Sequence, residues 1–171
     1  DIVIEEGYVK AAALRGLSAL FTTGTAEYSG AEIRAIAGFV KSGGGLLCAA
    51  QAWSWSYEAY GGKPNDTFPL NGLGRELNFR ITENALGNPT YLETEIMAGI
   101  AQLTRETDWS ASQIEIRSAE GRAVVRDEQQ RVMGAVIPCG KGRVAVYGHG
   151  DLPKENPAVL LRTLTYLTAQ P

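Results

Sequence analysis

The chain has 171 residues, 44% of them apolar and 20% charged, with a formal net charge of −3. That length fits a single domain with a full core. The charge excludes electrostatic capture of nucleic acid, which needs a basic face, and no apolar run approaches the roughly 20 residues that span a bilayer. The expectation is a soluble domain of open compartment, since no segment resembles a signal peptide. The sequence starts at Asp1 without Met, which fits removal of a leader or of a longer upstream region. Cys48 and Cys139 are the only cysteines and both sit in apolar runs, so they read as reduced, buried thiols.

Asp1 to Ile4 reads as the end of a strand, and Val9 to Arg15 as a short helical connection stopped by Gly16. Leu17 to Thr22 is a second apolar run that ends in Thr-Thr-Gly-Thr, a polar turn at a strand's carboxyl end. Ser29 and Glu32 have capping-box spacing, and Ile33, Ile36, Ala37 and Val40 fall on one helical face before Gly43. Gly43-Gly44-Gly45 then leads into Leu46 to Ala50, a buried strand, which breaks into a turn and a segment with Trp53, Trp55 and Tyr57. Strands alternating with helices argue for a parallel sheet covered by helices, with sites at the strands' carboxyl ends.

Glu58 to Leu70 is rich in Gly, Pro, Asn, Asp and Lys and reads as a long loop. A short helix over Leu73 to Leu77 and a strand over Phe79 to Thr82 follow. Asn88-Pro89-Thr90 with Glu93 predicts another helix, with Leu92, Ile96, Ile100 and Leu103 facing inward. The last third holds four short strand patterns: Gln113 to Arg117, Arg122 to Arg126, Arg131 to Ile137 and Arg143 to Tyr147. They predict an antiparallel meander whose last strand rejoins the main sheet. Asn156-Pro157 caps a closing helix, with Leu160, Leu161, Leu164 and Leu167 predicted to face the core.

Four stretches carry a resemblance: Phe39 to Leu47 (Phe-Val-Lys-Ser-Gly-Gly-Gly-Leu-Leu), Gln51-Ala52-Trp53-Ser54-Trp55, Phe68-Pro69-Leu70-Asn71, and Gly140 to His149 (Gly-Lys-Gly-Arg-Val-Ala-Val-Tyr-Gly-His). The sequence resembles the class I glutamine-amidotransferase-like domains that lack a working amidotransferase site. Among these, it is similar to the domain in TRP-channel-associated factors and to that beside enhancin-like, mucin-degrading metallopeptidases. The resemblance implies an α/β fold, a flavodoxin-like three-layer sandwich with a mainly parallel sheet and a C-terminal β-meander. It also implies one amidotransferase-like domain over residues 1–171, lacking its usual first strand and helix as a piece of a longer protein would.

A working class I amidotransferase resembles Gly-x-Cys-x-Gly at a strained elbow, with a His and an acid further along. Strand length places that elbow at Gln51, whose amide cannot attack a carbonyl. Cys48 lies three residues too early and would put Leu46 where a small residue is needed, so it reads as a packed strand residue. His149, the only histidine, falls between two glycines after a strand, near Asp151, where the triad histidine of the enzymes would fall. The catalytic candidates are therefore His149, Cys48 and Asp151. The ligand-binding candidates are Gln51, Trp53, Trp55 and His149, with Trp53 expected in the core because alternate positions do not share a helical face. One His and two distant Cys offer no zinc spacing, and no metal or cofactor is expected. Gly140-Lys141-Gly142 reads as a hairpin turn and not a phosphate loop. Asn65-Asp66-Thr67 fits an N-glycosylation acceptor if the chain is secreted by a eukaryote.

The leading expectation is a non-catalytic binding or scaffolding module with a small-molecule, glycan or protein partner. One alternative is a hydrolase or amidotransferase-like enzyme using His149 with Cys48 or another nucleophile. The other is a structural subdomain whose exposed Trp55 or Tyr57 forms an interface. The oligomeric state is left open.

Overall fold

The computed structural model describes residues 9–24, 26–57, 61–100, 110–150, 152 and 156–169. Its strands are β1 (Ala19–Thr22), β2 (Gly45–Ala49), β3 (Phe79–Leu86), β4 (Thr90–Tyr91), β5 (Ala111–Ile116), β6 (Arg122–Arg126), β7 (Val132–Cys139) and β8 (Gly142–Tyr147). Its α-helices are α1 (Gly30–Lys41), α2 (Pro69–Leu77) and α3 (Pro157–Thr168). The main sheet has the order β1-β2-β8-β7-β6-β4, and β3 pairs with β5 in a second, two-stranded sheet. The main sheet is mixed. β1, β2 and β8 run parallel, whereas β8-β7-β6-β4 is antiparallel throughout.

β2 shows why its sequence is a continuous apolar run: both of its faces are covered. Leu46 and Cys48 point into one core with Ile36 and Val40 of α1 and Leu70, Leu73 and Leu77 of α2. Leu47 and Ala49 point into a second core with Val159 and Leu167 of α3. The two-stranded sheet contributes Phe79, Ile81 and Ile114 to the first core.

α1 starts as its sequence dictates. Ser29 Oγ accepts from Glu32 N (3.3 Å), and Glu32 Oε2 accepts from Ser29 N (2.8 Å). The Glu32 carboxylate also accepts from Val9 N (3.0 Å), fastening the preceding segment to the helix end. The hydrogen bonds from Ser29 hold its pKa below the usual carboxylate value. A depressed folded pKa stabilises the fold above the unfolded-state pKa, and that contribution is lost as pH falls through the folded value. Glu32→Ala is expected to cost about 1 kcal/mol near neutral pH. Urea unfolding of both proteins checks this, and the difference should shrink toward zero in acid.

The glycine triplet and the Gly-Lys-Gly turn, far apart in sequence, meet at the other end of α1. Lys141 N donates to Lys41 O (3.0 Å) and Arg143 N to Gly44 O (3.4 Å). A Cβ on Gly142 would lie 2.0 Å from Val40 O and 2.3 Å from Gly44 O, so only glycine permits this backbone contact. The turn joins β7 to β8 through the Cys139–Gly142 pair, as a hairpin.

Gln113 to Arg117, expected as the first strand of the meander, instead pairs as β5 with β3, so the antiparallel run begins at β6; three local expectations are also corrected. Residues 11–16 form successive turns, with Ala13 N bonded to Lys10 O and Arg15 N to Ala12 O, and not a helix. The helix expected from Asn88 does not form: Asn88 takes a positive φ of 50°, and Thr90–Tyr91 pairs with β6. Residues 94–99 follow as turns that bury Ile96 and Met97, while Leu103 lies outside the described residues. Tertiary pairing with β6 outweighs the local helix-start signal here. The third correction concerns α3, which buries Val159, Thr163 and Leu167 and leaves Leu161 67% exposed. Of the leucines expected inside, Leu167 is buried and Leu160 packs against the second core, but Val159 and the polar Thr163 complete the buried stripe. The Thr163 hydroxyl is satisfied by Tyr147 Oη at 2.8 Å. Asp1 to Ile4, read as a strand, also lies outside the described residues.

Candidate functional site

Because β1, β2 and β8 are parallel, their carboxyl ends open on the same side of the sheet. Three segments leave there: Thr22-Thr23-Gly24, Ala50-Gln51-Ala52 and Gly148-His149-Gly150. A short 3-10 helix, Ala52–Ser56, follows β2 directly. The start of β5 approaches from the second sheet. Ser112 N donates to Gly148 O at 2.7 Å, and a Cβ on Gly148 would sit 1.8 Å from Ser112 O.

Gln51, Trp53 and Trp55 are half-buried and tied to neighbours. Gln51 Nε2 donates to Ser110 O at 3.3 Å, and the Trp53 indole donates to the same carbonyl. Trp53 N donates to Ser112 Oγ at 3.1 Å, so the 3-10 helix is fastened to the start of β5. Ser54 Oγ donates to Gln51 O at 2.8 Å. Trp55 donates from its indole to Thr67 Oγ1 (3.0 Å), and its ring meets Phe68 edge-on at 6.0 Å. Lys63 lies 4.5 Å over the Trp55 ring and pairs with Glu27 at 2.7 Å. Trp53, expected inside, is only half-buried and meets the 58% exposed Tyr57 in a T-shaped contact.

Cys48 is apart from this edge. Its side chain is fully buried in the core under α1 and α2, and that burial pushes its thiol pKa far above the ordinary value. A thiol in that state is neither accessible nor ionised near neutral pH. His149 is half-buried on the loop after β8, and its carbonyl accepts from Leu152 N at 3.3 Å. Asp151 lies outside the described residues. The strand ends thus bring together Gln51, Trp53 and the Gly148–His149 loop, with Cys48 facing away into the core. Among the described residues, no group of three or more His, Cys, Asp or Glu could hold a metal ion.

Asn65, the possible glycan acceptor, is only 5% exposed, and its Oδ1 lies 3.4 Å from Asn71 Nδ2. The folded chain therefore hides the amide nitrogen that a glycan would need.

Sequence reasoning missed Ser110 and Ser112, because a serine that receives indole and amide donors has no local signature. It also missed Tyr28, whose hydroxyl bonds to Thr22 at the end of β1 and whose pKa is raised by burial.

A family model described as "TRPM8, N-terminal domain" (TCAF_N) matches residues 10–96, half of the chain, from the first turns through the Trp53–Trp55 segment to the residues after β4. The chain belongs to the TCAF N-terminal domain family. Full-length relatives agree. A TRPM8 channel-associated factor homolog of Xenopus laevis is 27% identical over 175 residues, covering 90% of this chain and 19% of the relative. Human TRPM8 channel-associated factor 2 is 26% identical over 146 residues, covering 71% of this chain and 16% of its own length. The chain thus spans a fifth or less of these relatives. Among solved structures, the mmIFT52 N-terminal domain superposes with a TM-score of 0.68 at 19% identity, covering 94% of this chain and 81% of its own. A cytoplasmic protein of Salmonella typhimurium LT2 gives a TM-score of 0.59 at 14% identity, covering 95% and 74%. At those identities the likeness is one of fold. No helix among the described residues of this TCAF-type domain is long and apolar enough to cross a membrane.

Proposed function

We propose that this TCAF N-terminal domain is a non-catalytic interaction module of a longer protein, with a TRPM8-type channel as its protein partner. The observation that carries the reading is at the end of β2. The position where an amidotransferase would hold its nucleophile has Gln51, its amide bonded to Ser110 O, and the nearby thiol of Cys48 is sealed in the core. The flavodoxin-like, amidotransferase-like descent belongs to the same proposal: a parallel strand trio keeps its carboxyl-end edge, but that edge is fitted with packing contacts and not a reacting group. Gln51, Trp53, Trp55 and His149, with exposed Tyr57 beside them, form the face offered to the partner. Tyrosine and tryptophan suit such a face because each combines a large apolar ring with a polar handle. The relatives' names associate them with the TRPM8 channel, which supports the choice of partner.

Binding of the purified chain to detergent-solubilised TRPM8 tests this. Saturable binding with a dissociation constant of about 10 μM or tighter is expected, weakened by Tyr57→Ser, which removes an exposed ring without touching the core. Absence of binding, or binding indifferent to Tyr57, would remove this face from the account.

A further inference from the structure

Away from the strand ends, a cleft of about 410 Å³ lies between α2 and the two-stranded sheet, lined by Asp66, Asn71, Arg75, Phe79, Arg80 and Arg117. The sheet register sets the charges. Arg80 of β3 stands opposite Glu115 of β5, and Arg117 follows Glu115 by two residues, anchored by Arg117 N donating to Asn78 O (2.8 Å). Arg75, from the last turn of α2, reaches the Asp66 carbonyl with Nη1 at 3.4 Å. Arg80 and Arg117 thus pair with two carboxylates, Asp66 and Glu115, while Arg75 meets only a backbone carbonyl, in a chain whose net charge is −3.

We propose that this cleft binds the phosphoryl group of a small phosphate monoester. The three arginines supply far more N–H donors than their present contacts use. Arg80 bonds Asp66 Oδ1 at 2.8 Å and lies 3.7 Å from Glu115, and Arg117 meets Glu115 at 3.3 Å. A planar carboxylate is already supplied from within, by side chains that are 80% exposed at Asp66 and 40% exposed at Glu115. Such exposed pairs are weak and yield readily to a better acceptor. A tetrahedral dianion offers three oxygens to forks carried by α2, by β3 and by the residue after β5, and such planar forks are where arginine outperforms lysine. Phe79 and Asn71 lie beneath the cleft, both buried, so the donors open to a ligand there are those of the arginines.

The test is titration of the 171-residue chain with inorganic phosphate and with glycerol phosphate, against chloride at equal ionic strength. The arginine side-chain N–H resonances provide the readout. Saturable shifts with a dissociation constant of about 1 mM or below are expected for both phosphates. Arg75→Ala with Arg117→Ala should weaken binding at least about tenfold, whereas Arg15→Ala with Lys141→Ala, the same charge change elsewhere, should not. Arg117→Lys keeps the charge but loses the fork, and should weaken binding measurably in a chain that unfolds at the parent temperature. Shifts that never saturate, or that fall equally in the two double variants, would overturn the proposal.

Discussion

Gly148→Ala is expected to destabilise the chain by about 3–5 kcal/mol, the sum of overpacking and of one broken buried backbone hydrogen bond. The added Cβ would lie 1.8 Å from Ser112 O and 2.8 Å from Ser112 C, atoms of backbone that cannot rotate away. To make room, the loop after β8 must part from the start of β5, which breaks the 2.7 Å bond from Ser112 N to Gly148 O. Ser112 Oγ also receives Trp53 N, so the disturbance passes to the 3-10 helix behind β2. Differential scanning calorimetry should show a fall of roughly 10 °C in the unfolding midpoint. The Trp53 fluorescence of the folded state should also change. A midpoint within a degree or two of the parent would mean that the two sheets are not joined through this contact.

Asn71→Ala is the second large effect, expected to cost about 2–4 kcal/mol. Asn71 acts as a clamp between α2 and β3. Its Oδ1 accepts from Ile81 N at 2.8 Å, and its Nδ2 donates to Ile81 O at 2.9 Å and Asn65 O at 3.1 Å. Removing the amide strands both backbone groups of Ile81 in an apolar setting, where Ile81 itself is fully buried. Urea unfolding should report the loss as a lower midpoint with an unchanged slope. Hydrogen exchange at the Ile81 amide should accelerate well beyond that of β2. An unchanged midpoint would show that water replaces the clamp at no cost.

Much of the architecture was legible because its signals are local. The Ser29–Glu32 box starts α1 where its spacing says, and Gly45–Ala49 forms a strand buried on both faces as its composition says. The parallel arrangement of β1 and β2 around α1 follows from the strand–helix–strand alternation. What was not legible depends on distant partners. Nothing in Phe79 to Leu86 says that it leaves the main sheet to pair with Ala111 to Ile116. Thr90–Tyr91 becomes a strand only because Val125 and Arg126 are beside it. Thr163 looks like a surface residue until Tyr147 is placed against it. At the candidate site, strand length was enough to place Cys48 inside β2 and Gln51 just beyond its end. The serines that hold Gln51 and Trp53 come from 57 to 59 residues away, and the arginines of the cleft come from α2, β3 and the residue after β5. Such groups are gathered by the fold, and no short pattern announces them.

On the proposed non-catalytic reading, the strand edge at Gln51 has no usable nucleophile. The most direct measurement is the rate of Cys48 alkylation in the native chain as a function of pH, with Cys48→Ala correcting for Cys139. Protection is expected at neutral pH, with modification no faster than global unfolding, because the thiol is fully buried and held neutral. Rapid modification of the folded chain, with a titration midpoint below that of an ordinary thiol, would contradict it and return the domain to the enzymes.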